Sequence, residues 1–294
     1  MKRLSIIIVT YNSEADIYDC IDSIKTHADI PLQDIELVVV DNGSRMVDDM
    51  FRSLVNIWGE DIILLQNTHN GGYGQGNNIG IRNSIAPVIL IMNPDVRLMC
   101  PCLAKPLAAF DADPTLCMYG MKQMLSATTP SRYSFMCTYR MNGYLHNLMQ
   151  SFCNRMDWYI PRRMFFSGSC FYVRRDKFEQ AGLFDESVFM YDEEEDIHWR
   201  LMQRFGLQFH YDDTLRYMHL IAQRPPSADY EMKLVLAALT QNEKKGYARQ
   251  KMKRQFLRIY RMSYWVESLK TMIGRDPSRK RMLKELLQRI RQLE

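Results

Sequence analysis

The sequence predicts an α/β protein in which helices flank a mostly parallel sheet. First, residues 4–10, 35–44 and 88–92 contain apolar runs with the length and β-branched content of strands buried on both faces. Second, residues with helical spacing separate the early runs. Third, these runs lead into short polar segments. This alternation of buried strands and amphipathic helices is typical of a parallel sheet covered by helices.

The N-terminal elements follow in order. "LSIIIVT" (4–10) predicts the first strand, and "SEADIYDCIDSIKTHA" predicts a helix capped by Ser13. "IELVVVDNGS" (35–44) predicts the second strand, "DIILLQN" (61–67) the third and "VILIM" (88–92) the fourth. The apolar residues of the helix recur at helical spacing, at Ile17, Cys20, Ile21 and Ile24.

Composition sets the bounds of the architecture. The 294 residues, 47% of them hydrophobic, suffice for one large domain or a domain with an appendage. The chain lacks a run of 18 apolar residues, and its start turns polar without a cleavage site, so we expect a cytoplasmic protein with no spanning helix or signal peptide. The seven scattered cysteines predict buried thiols rather than disulfides or a zinc site.

Polar residues follow three of the predicted strands. Thr10 and Asn12 end the first strand, Asp41 the second, and Asn93 and Asp95 the fourth. Turn formation alone can explain each group, because Asn and Asp are turn formers. In parallel sheets, however, ligands bind outside the carboxyl ends of the strands, and these residues would share that edge.

Residues 67–84, "NTHNGGYGQGNNIGIRNS", are rich in glycine and lead into a short helix. The spacing of Gly74, Gly76 and Gly80 is a weak match to a dinucleotide-binding fingerprint, because the segment does not follow the first strand. Two interpretations remain open: a flexible loop with capping glycines, or a loop whose backbone N–H groups approach a ligand.

Six stretches in order resemble family 2 glycosyltransferases of the GT-A fold, notably the rhamnosyltransferase-like branch. The resemblance covers roughly residues 3–220. It implies a GT-A (Rossmann-like) sheet flanked by helices, with a helical C-terminal appendage. The stretches are "IIIVTYNSE", "VVVDNGS", "NGGYGQGNNIGI", "LIMNPDV", "FSGSCFYVRRDKFEQAGLFDE" and "FMYDEEEDIHWRL".

The resemblance also implies how the chain is divided. Residues 1–225 would form the glycosyltransferase domain, with a nucleotide-binding half at 1–100 and an acceptor half at 101–225. Residues 226–294 would form a basic helical segment. The residues implied in binding the nucleotide sugar are Thr10, Asn12, Asp41, which would accept a hydrogen bond from the base, Gly72, Asn77 and Asn93.

A divalent cation, Mg²⁺ or Mn²⁺, is implied as the cofactor. Asp95 matches the second Asp of the family's DXD motif and Asn93 replaces the first. A cation held by one carboxylate can neutralise the charge on a leaving diphosphate whose oxygens complete its coordination. His219 matches a histidine close to the metal or diphosphate in related enzymes, although a lone histidine after a strand is more often structural.

The acidic run "YDEEEDIHWR" (191–200) supplies the implied catalytic base. Aligned on Asp196 and Arg200, the family's base position falls on Glu194, where the family has Asp. Inverting transfer needs a base to take the acceptor's proton, and repulsion within the run should raise some carboxyl pKa values. Another acid of 193–196 remains an alternative, as does a solvated helix start without catalytic function.

The C-terminal segment is strongly basic. Residues 244–294 carry 16 basic and 4 acidic residues, a net charge of +12, whereas the preceding 243 residues have a net charge of −8. Two amphipathic helices are indicated, one on each side of "GRDPSRK". They would lie on an anionic membrane, pack on the catalytic domain or pair between subunits, and these alternatives are equally supported.

The combined expectation is an inverting, metal-dependent glycosyltransferase. It would move a sugar from a nucleotide-diphosphate donor to a saccharide or lipid-linked acceptor in cell-surface polysaccharide synthesis, in the cytoplasm or at the inner face of the membrane. No nucleic-acid partner is expected. The alternative is a nucleotide-sugar-binding scaffold without turnover. Tyr144 and Trp158, among other aromatics of residues 123–166, would stack on acceptor sugars or belong to the core.

Overall fold

The computed structural model describes residues 1–140, 143–220 and 227–293. The chain forms two compact units, one of Met1–Phe135 with Phe165–Ile221 and the other of Met136–Met164 with Ala222–Glu294. The second unit therefore includes residues that the sequence analysis assigned to the acceptor half. The boundary expected at residues 225–226 lies outside the described residues, and the functional division into halves stays a prediction.

The first unit contains an eight-stranded sheet with flanking helices. Its strands are β1 Leu4–Thr10, β2 Ile35–Asp41, β3 Ile63–Gln66, β4 Val88–Met92, β5 Val96–Leu98, β6 Met118–Met124, β9 Cys170–Arg174 and β10 Phe209–His219. Its helices are α1 Glu14–Thr26, α2 Val47–Trp58, α3 Gly72–Arg82, α4 Ala104–Ala112, α6 Arg175–Gln180 and α7 Glu193–Phe205.

The sheet has the order β3-β2-β1-β4-β9-β6-β10-β5. Strands β1 to β4 are parallel, as are β6 and β10, whereas β9 runs antiparallel to β4 and β6, and β5 antiparallel to β10. The mostly parallel sheet expected from the sequence is thus confirmed. Because Thr10 pairs with Asp41 in register, the polar ends of β1 and β2 lie side by side.

The core of this unit consists of the apolar strands and the inner faces of the helices. Every residue of β2 and β4 is buried, and α1 packs Ile17, Cys20, Ile21 and Ile24 into the same cluster. Burial of such side chains contributes about 1.5–3 kcal/mol each relative to exposure. The sheet is therefore a rigid support for the residues at its carboxyl edge.

The glycine-rich segment is helical from Gly72 onwards, so the flexible-loop interpretation is wrong for most of it. A Cβ atom at Gly76 would lie 2.6 Å from Val9 Cγ1, and one at Gly80 would lie 2.5 Å from Ile7 Cγ2. These contacts are closer than any side chain permits, and the glycines therefore allow α3 to pack directly on the central strands.

The second unit is helical, with α5 His146–Arg155, α8 Ala228–Lys244, α9 Arg249–Met272 and α10 Ser278–Gln292. Two short strands, β7 Phe135–Cys137 and β8 Met164–Phe166, pair with each other. Helices α8, α9 and α10 share a core that includes Val235, Leu239, Phe256, Leu286 and Ile290. None of the helices in the described ranges is both long enough and apolar enough to cross a bilayer.

Candidate functional site

Asp41 is the hydrogen-bonding centre of the loop that follows β2. Its carboxylate is fully buried and accepts bonds from Thr10 Oγ1 (3.0 Å), from the N–H groups of Gly43 (3.0 Å) and Ser44 (2.8 Å), and from Ser44 Oγ. A carboxylate offers about four acceptor positions, and four donors occupy them here. In this arrangement Asp41 fixes the loop, and its expected bond to a nucleotide base stays a prediction.

Asn12 joins the ends of β1 and β2. Its backbone adopts a left-handed conformation, with φ of 49°, which Asn tolerates better than most residues. Its N–H donates to Ser44 Oγ (2.7 Å), and its Oδ1 accepts from the N–H of Arg45 (3.3 Å). Thr10 beside it is fully buried. Asn12 thus lies at the carboxyl edge of the sheet, and the buried Thr10 donates a hydrogen bond to Asp41.

Gly72 and Asn77 lie in the first turns of α3. The carbonyl of Gly72 accepts from Asn42 Nδ2 (3.0 Å), and the N–H of Gly72 donates to Asn70 Oδ1 (3.0 Å). Asn77 is buried and donates through Nδ2 to the carbonyl of Tyr73 (2.9 Å). Gly72 is therefore hydrogen-bonded to the loop after β2, whereas the Asn77 side chain bonds to its own helix. Contacts of either residue with a nucleotide-sugar donor stay predictions.

Asp95 and His219 come together at the same edge of the sheet. Asp95 lies in the turn between β4 and β5, and His219 ends β10, which pairs with β5 so that His219 is opposite Val96. Their side chains meet with His219 Nε2 3.2 Å from Asp95 Oδ1, and both are partly exposed. The sheet topology thus joins two residues that are far apart in sequence.

The pair fits a divalent cation that takes its remaining ligands from phosphate oxygens and water. Adjacent ligands of an octahedral ion with bonds of about 2.1 Å are about 3.0 Å apart, close to the separation observed. A carboxylate with phosphate oxygens and water suits Mg²⁺ or Mn²⁺. Within the described parts of the chain, no group of three or more His, Cys, Asp or Glu residues could hold a metal ion.

The acidic run begins α7, and its members differ in exposure. Asp192 precedes the helix in a left-handed conformation, and Glu193, Glu195 and Asp196 are buried with it. Asp196 forms an ion pair with Arg200 (2.6 Å), as the i,i+4 spacing predicts. Within residues 192–196, Glu194 alone is not buried. A catalytic base must be accessible to the acceptor hydroxyl. Glu194 meets this condition better than the other acids of the run, because solvent reaches it.

The loop at Gly168 holds the Glu194 carboxylate. The backbone N–H of Gly168 donates to this carboxylate, and a Cβ atom at position 168 would lie 2.0 Å from Glu194 Oε1. The carbonyl of Gly168 accepts a bond of 2.6 Å from Tyr73 Oη. The sequence analysis identified neither Tyr73 nor Gly168 as a site residue, although both lie in stretches that carry the family resemblance.

Although part of the Glu194 side chain is exposed, desolvation of its carboxyl group by the surrounding protein raises its pKa above the usual range, while hydrogen bonds from its own N–H and that of Gly168 oppose the shift. The pKa of Glu193 is also raised, first by burial and then by the charge of Glu194. Among the described residues, Glu193 Oε1 has no hydrogen-bond partner. The neighbouring charge of Glu194 thus contributes to the raised pKa of Glu193, as the repulsion expected from the sequence predicts, although burial is the larger cause.

The Gly168 loop also links Glu194 to the turn that carries Asp95. The carbonyl of Ser169 accepts from the N–H of Asn93 (2.8 Å), in the turn that carries Asp95. The same loop therefore contacts both Glu194 and the Asn93–Asp95 turn. The Glu194 carboxylate, the Asp95–His219 pair and the ends of three parallel strands thus lie around one edge of the sheet.

This architecture is the GT-A fold, in which a mainly parallel sheet flanked by helices presents ligand-binding residues at its carboxyl edge. Residues 5–182 match the model of Glycosyl transferase family 2, and the chain belongs to that family. The family expected from the sequence motifs is thereby confirmed.

Two structural comparisons and one sequence comparison agree with this assignment. The mannosyltransferase PcManGT from Pyrobaculum calidifontis, in complex with GDP-Man and Mn²⁺, has a TM-score of 0.63 at 16% identity, over 97% of this chain and 85% of its own. S. aureus TarS 1-349 in complex with UDP-GlcNAc has a TM-score of 0.55 at 15% identity, over 98% of this chain and 80% of its own.

The sequence relative is the low-salt glycan biosynthesis hexosyltransferase Agl10 of Haloferax volcanii. It is 29% identical over 212 residues, which are 68% of this chain. The matched region spans 62% of the length of that relative.

Proposed function

We propose that this protein is an inverting, metal-dependent glycosyltransferase of the rhamnosyltransferase-like branch. It transfers a hexosyl or deoxyhexosyl group from a nucleotide-diphosphate sugar to a saccharide or lipid-linked saccharide in cell-surface polysaccharide synthesis. The observation that carries the proposal is the Gly168–Ser169 loop, which contacts both Glu194 and the turn that carries Asp95.

In this proposal Asp95 and His219 hold Mg²⁺ or Mn²⁺. The bound cation supplies a positive charge that neutralises the diphosphate as it leaves. Asp41 and Asn12 shape the loop beside the nucleotide, because Asp41 orders the residues after β2 and Asn12 bonds to them. Asn93 lies in the turn that carries Asp95 and contributes to the donor pocket together with the start of α3.

Glu194 removes the proton from the acceptor hydroxyl. The acceptor oxygen forms a bond to the anomeric carbon as the bond from that carbon to the diphosphate oxygen breaks. The proton passes to Glu194, and the nucleoside diphosphate leaves with the electron pair of the broken bond. A raised carboxyl pKa makes Glu194 a stronger base than a solvated glutamate, provided that it is ionised at the working pH.

A donor screen tests the proposal. Calorimetric binding of UDP-, dTDP- and GDP-sugars is measured with and without Mn²⁺, on the wild type and on Asp95→Ala. Two of these nucleotides are suggested by the UDP-GlcNAc and GDP-Man complexes of the structural neighbours. We expect one nucleotide class to bind with metal dependence and the Asp95→Ala variant to lose it. Binding to none of the donors would contradict the proposal.

Turnover separates the enzyme from the scaffold alternative. Release of nucleoside diphosphate is measured with the donor found in the screen, first without an acceptor and then with candidate saccharides and lipid-linked saccharides. Glu194→Gln should retain donor binding and lose turnover. A wild-type protein that binds its donor but releases no product with any acceptor would support a scaffold.

A further inference from the structure

Helix α9 carries exposed apolar side chains on one side of its C-terminal half. Trp265, Leu269 and Met272 are 62–81% exposed, and their spacing of four and three residues places them on the same side of the helix. The N-terminal half differs, because Phe256 and Ile259 are buried against α8 and α10. The three-helix core therefore buries apolar residues of the first half of α9 and leaves Trp265, Leu269 and Met272 of the second half uncovered.

Helix α5 in the same unit reverses the usual distribution of polar and apolar residues. Its Leu148 and Phe152, with Met156 just beyond its end, are 52–68% exposed, whereas His146 and Gln150 are buried. The Gln150 side chain accepts a bond of 2.6 Å from the N–H of Cys137. A helix that faces water normally buries its apolar stripe. The outer side of α5 therefore suits an apolar environment.

The two helices adjoin within this unit. Asn147 Nδ2 donates to Ser263 Oγ (2.8 Å), and the N–H of Gly143 donates to Gln255 Oε1 (3.2 Å). We call the combined set of exposed side chains the apolar face. It consists of Leu148, Phe152, Met156, Trp265, Leu269 and Met272.

Cationic side chains accompany the apolar face. The exposed arginines that flank its members in the sequence are Arg155, Arg162, Arg258, Arg261, Arg275 and Arg279. Tryptophan, long aliphatic residues and flanking arginines are the composition of helices that lie in the surface of an anionic bilayer. We propose that the apolar face docks on a membrane rich in anionic phospholipid.

Charge favours a lipid surface over a second copy of the chain. A two-fold interface would bring the face against an identical one, so that two surfaces flanked by positive charge would approach each other. An anionic bilayer instead offers opposite charge to the arginines and an apolar interior to the tryptophan. Helix α10 does not contribute, because Leu283, Leu286 and Ile290 are buried in the helical core. The proposed face therefore differs from the membrane alternative of the sequence analysis, because α5 takes the place of α10 beside α9.

This inference rests on the proposed function in one respect, since a lipid-linked acceptor would lie at the same membrane surface.

The inference is tested by co-sedimentation of the full chain with vesicles, an experiment that does not require turnover. Pure phosphatidylcholine is compared with phosphatidylcholine containing about 30% phosphatidylglycerol, which mimics an anionic leaflet. We expect binding to the anionic vesicles alone, and weaker binding as salt shortens the Debye length from about 10 Å at 0.1 M to about 3 Å at 1 M.

The double variant Trp265→Gln/Leu269→Gln tests the face itself. Loss of two inserted side chains should weaken partition by about tenfold or more. The control is Ile85→Gln, because Ile85 is equally exposed but lies in the first unit, and its partition should equal that of the wild type. Brominated lipid should quench the tryptophan fluorescence of the wild type more strongly than that of the Trp265→Phe variant.

Three results would overturn the proposal. They are absence of sedimentation with anionic vesicles, equal binding by the double variant, and a concentration-dependent dimer that the double variant abolishes. Donor calorimetry on the same proteins distinguishes the two proposals, since the double variant leaves the residues of the candidate site unchanged. Loss of vesicle binding with intact donor binding would concern the apolar face alone.

Discussion

Replacement of Gly168 by alanine should displace the carboxylate of Glu194, the proposed catalytic base, without removing it. The added Cβ atom would lie 2.0 Å from Glu194 Oε1 and 2.6 Å from Glu194 Cγ and Cδ. Since ordinary contacts between such atoms are over about 3 Å, the carboxylate must move by about 1 Å or more. Misplacement by 1 Å can reduce a rate by about 100-fold, and we expect kcat to fall by that order.

The assay measures kcat from nucleoside diphosphate release and donor affinity from calorimetry. Donor affinity should not change, because Gly168 contacts the base rather than the expected donor residues. The matched test is a double-mutant cycle with Glu194→Gln, in which Gly168→Ala should add little once the base is absent. A kcat close to that of the wild type, or a full additional loss in the Gln background, would refute the reasoning.

The remaining expectations concern the cation, the support of the base and pH. Asp95→Ala should weaken metal-dependent donor binding by about tenfold or more. His219→Ala should weaken it less, because the diphosphate and Asp95 still hold the cation. Metal titration in the presence of donor measures both effects. Tyr73→Phe removes the bond to the Gly168 carbonyl and should cost about 1 kcal/mol of unfolding free energy, measured by denaturant titration. The raised pKa of Glu194 should place the acidic limb of the kcat profile above the usual pKa of glutamate, about 4.3, and a limb at or below that value would contradict the assignment. Because Glu193 has a raised pKa in the folded state, its stabilising proton is lost as pH rises through that pKa; Glu193→Gln should therefore raise Tm at pH 8 and much less at pH 5, and an equal change at both would contradict the cause.

The strands and their polar ends could be predicted because the information is local. Continuous apolar runs specify strands buried on both faces, and parallel strands share one carboxyl edge, so Asp95 could be placed at that edge. The ion pair of Asp196 with Arg200 was predictable from spacing along a single helix. The family motifs then assigned expected roles to residues that the pattern had already grouped.

Other features depend on partners that are distant in sequence. Position 80 requires a glycine because Ile7 lies against it. The residue pattern of 67–84 gives no indication of that contact. The Tyr73–Gly168 bond spans 95 residues, and no periodicity indicates it. The reversed faces of α5 also could not be foreseen, because a hydrophobic stripe normally predicts the buried side of a helix and α5 exposes Leu148 and Phe152 instead.

The short loop that contacts Glu194 and the Asn93 turn has a consequence for heat resistance. The N–H of Gly168 and the carbonyl of Ser169 belong to consecutive residues, so covalent bonds limit their separation to about 7 Å. The spacing between the proposed proton acceptor, Glu194, and the turn proposed to bind the diphosphate then depends on chain geometry more than on packing. Substitutions that loosen the sheet should lower the melting temperature while leaving kcat of the surviving folded molecules nearly constant.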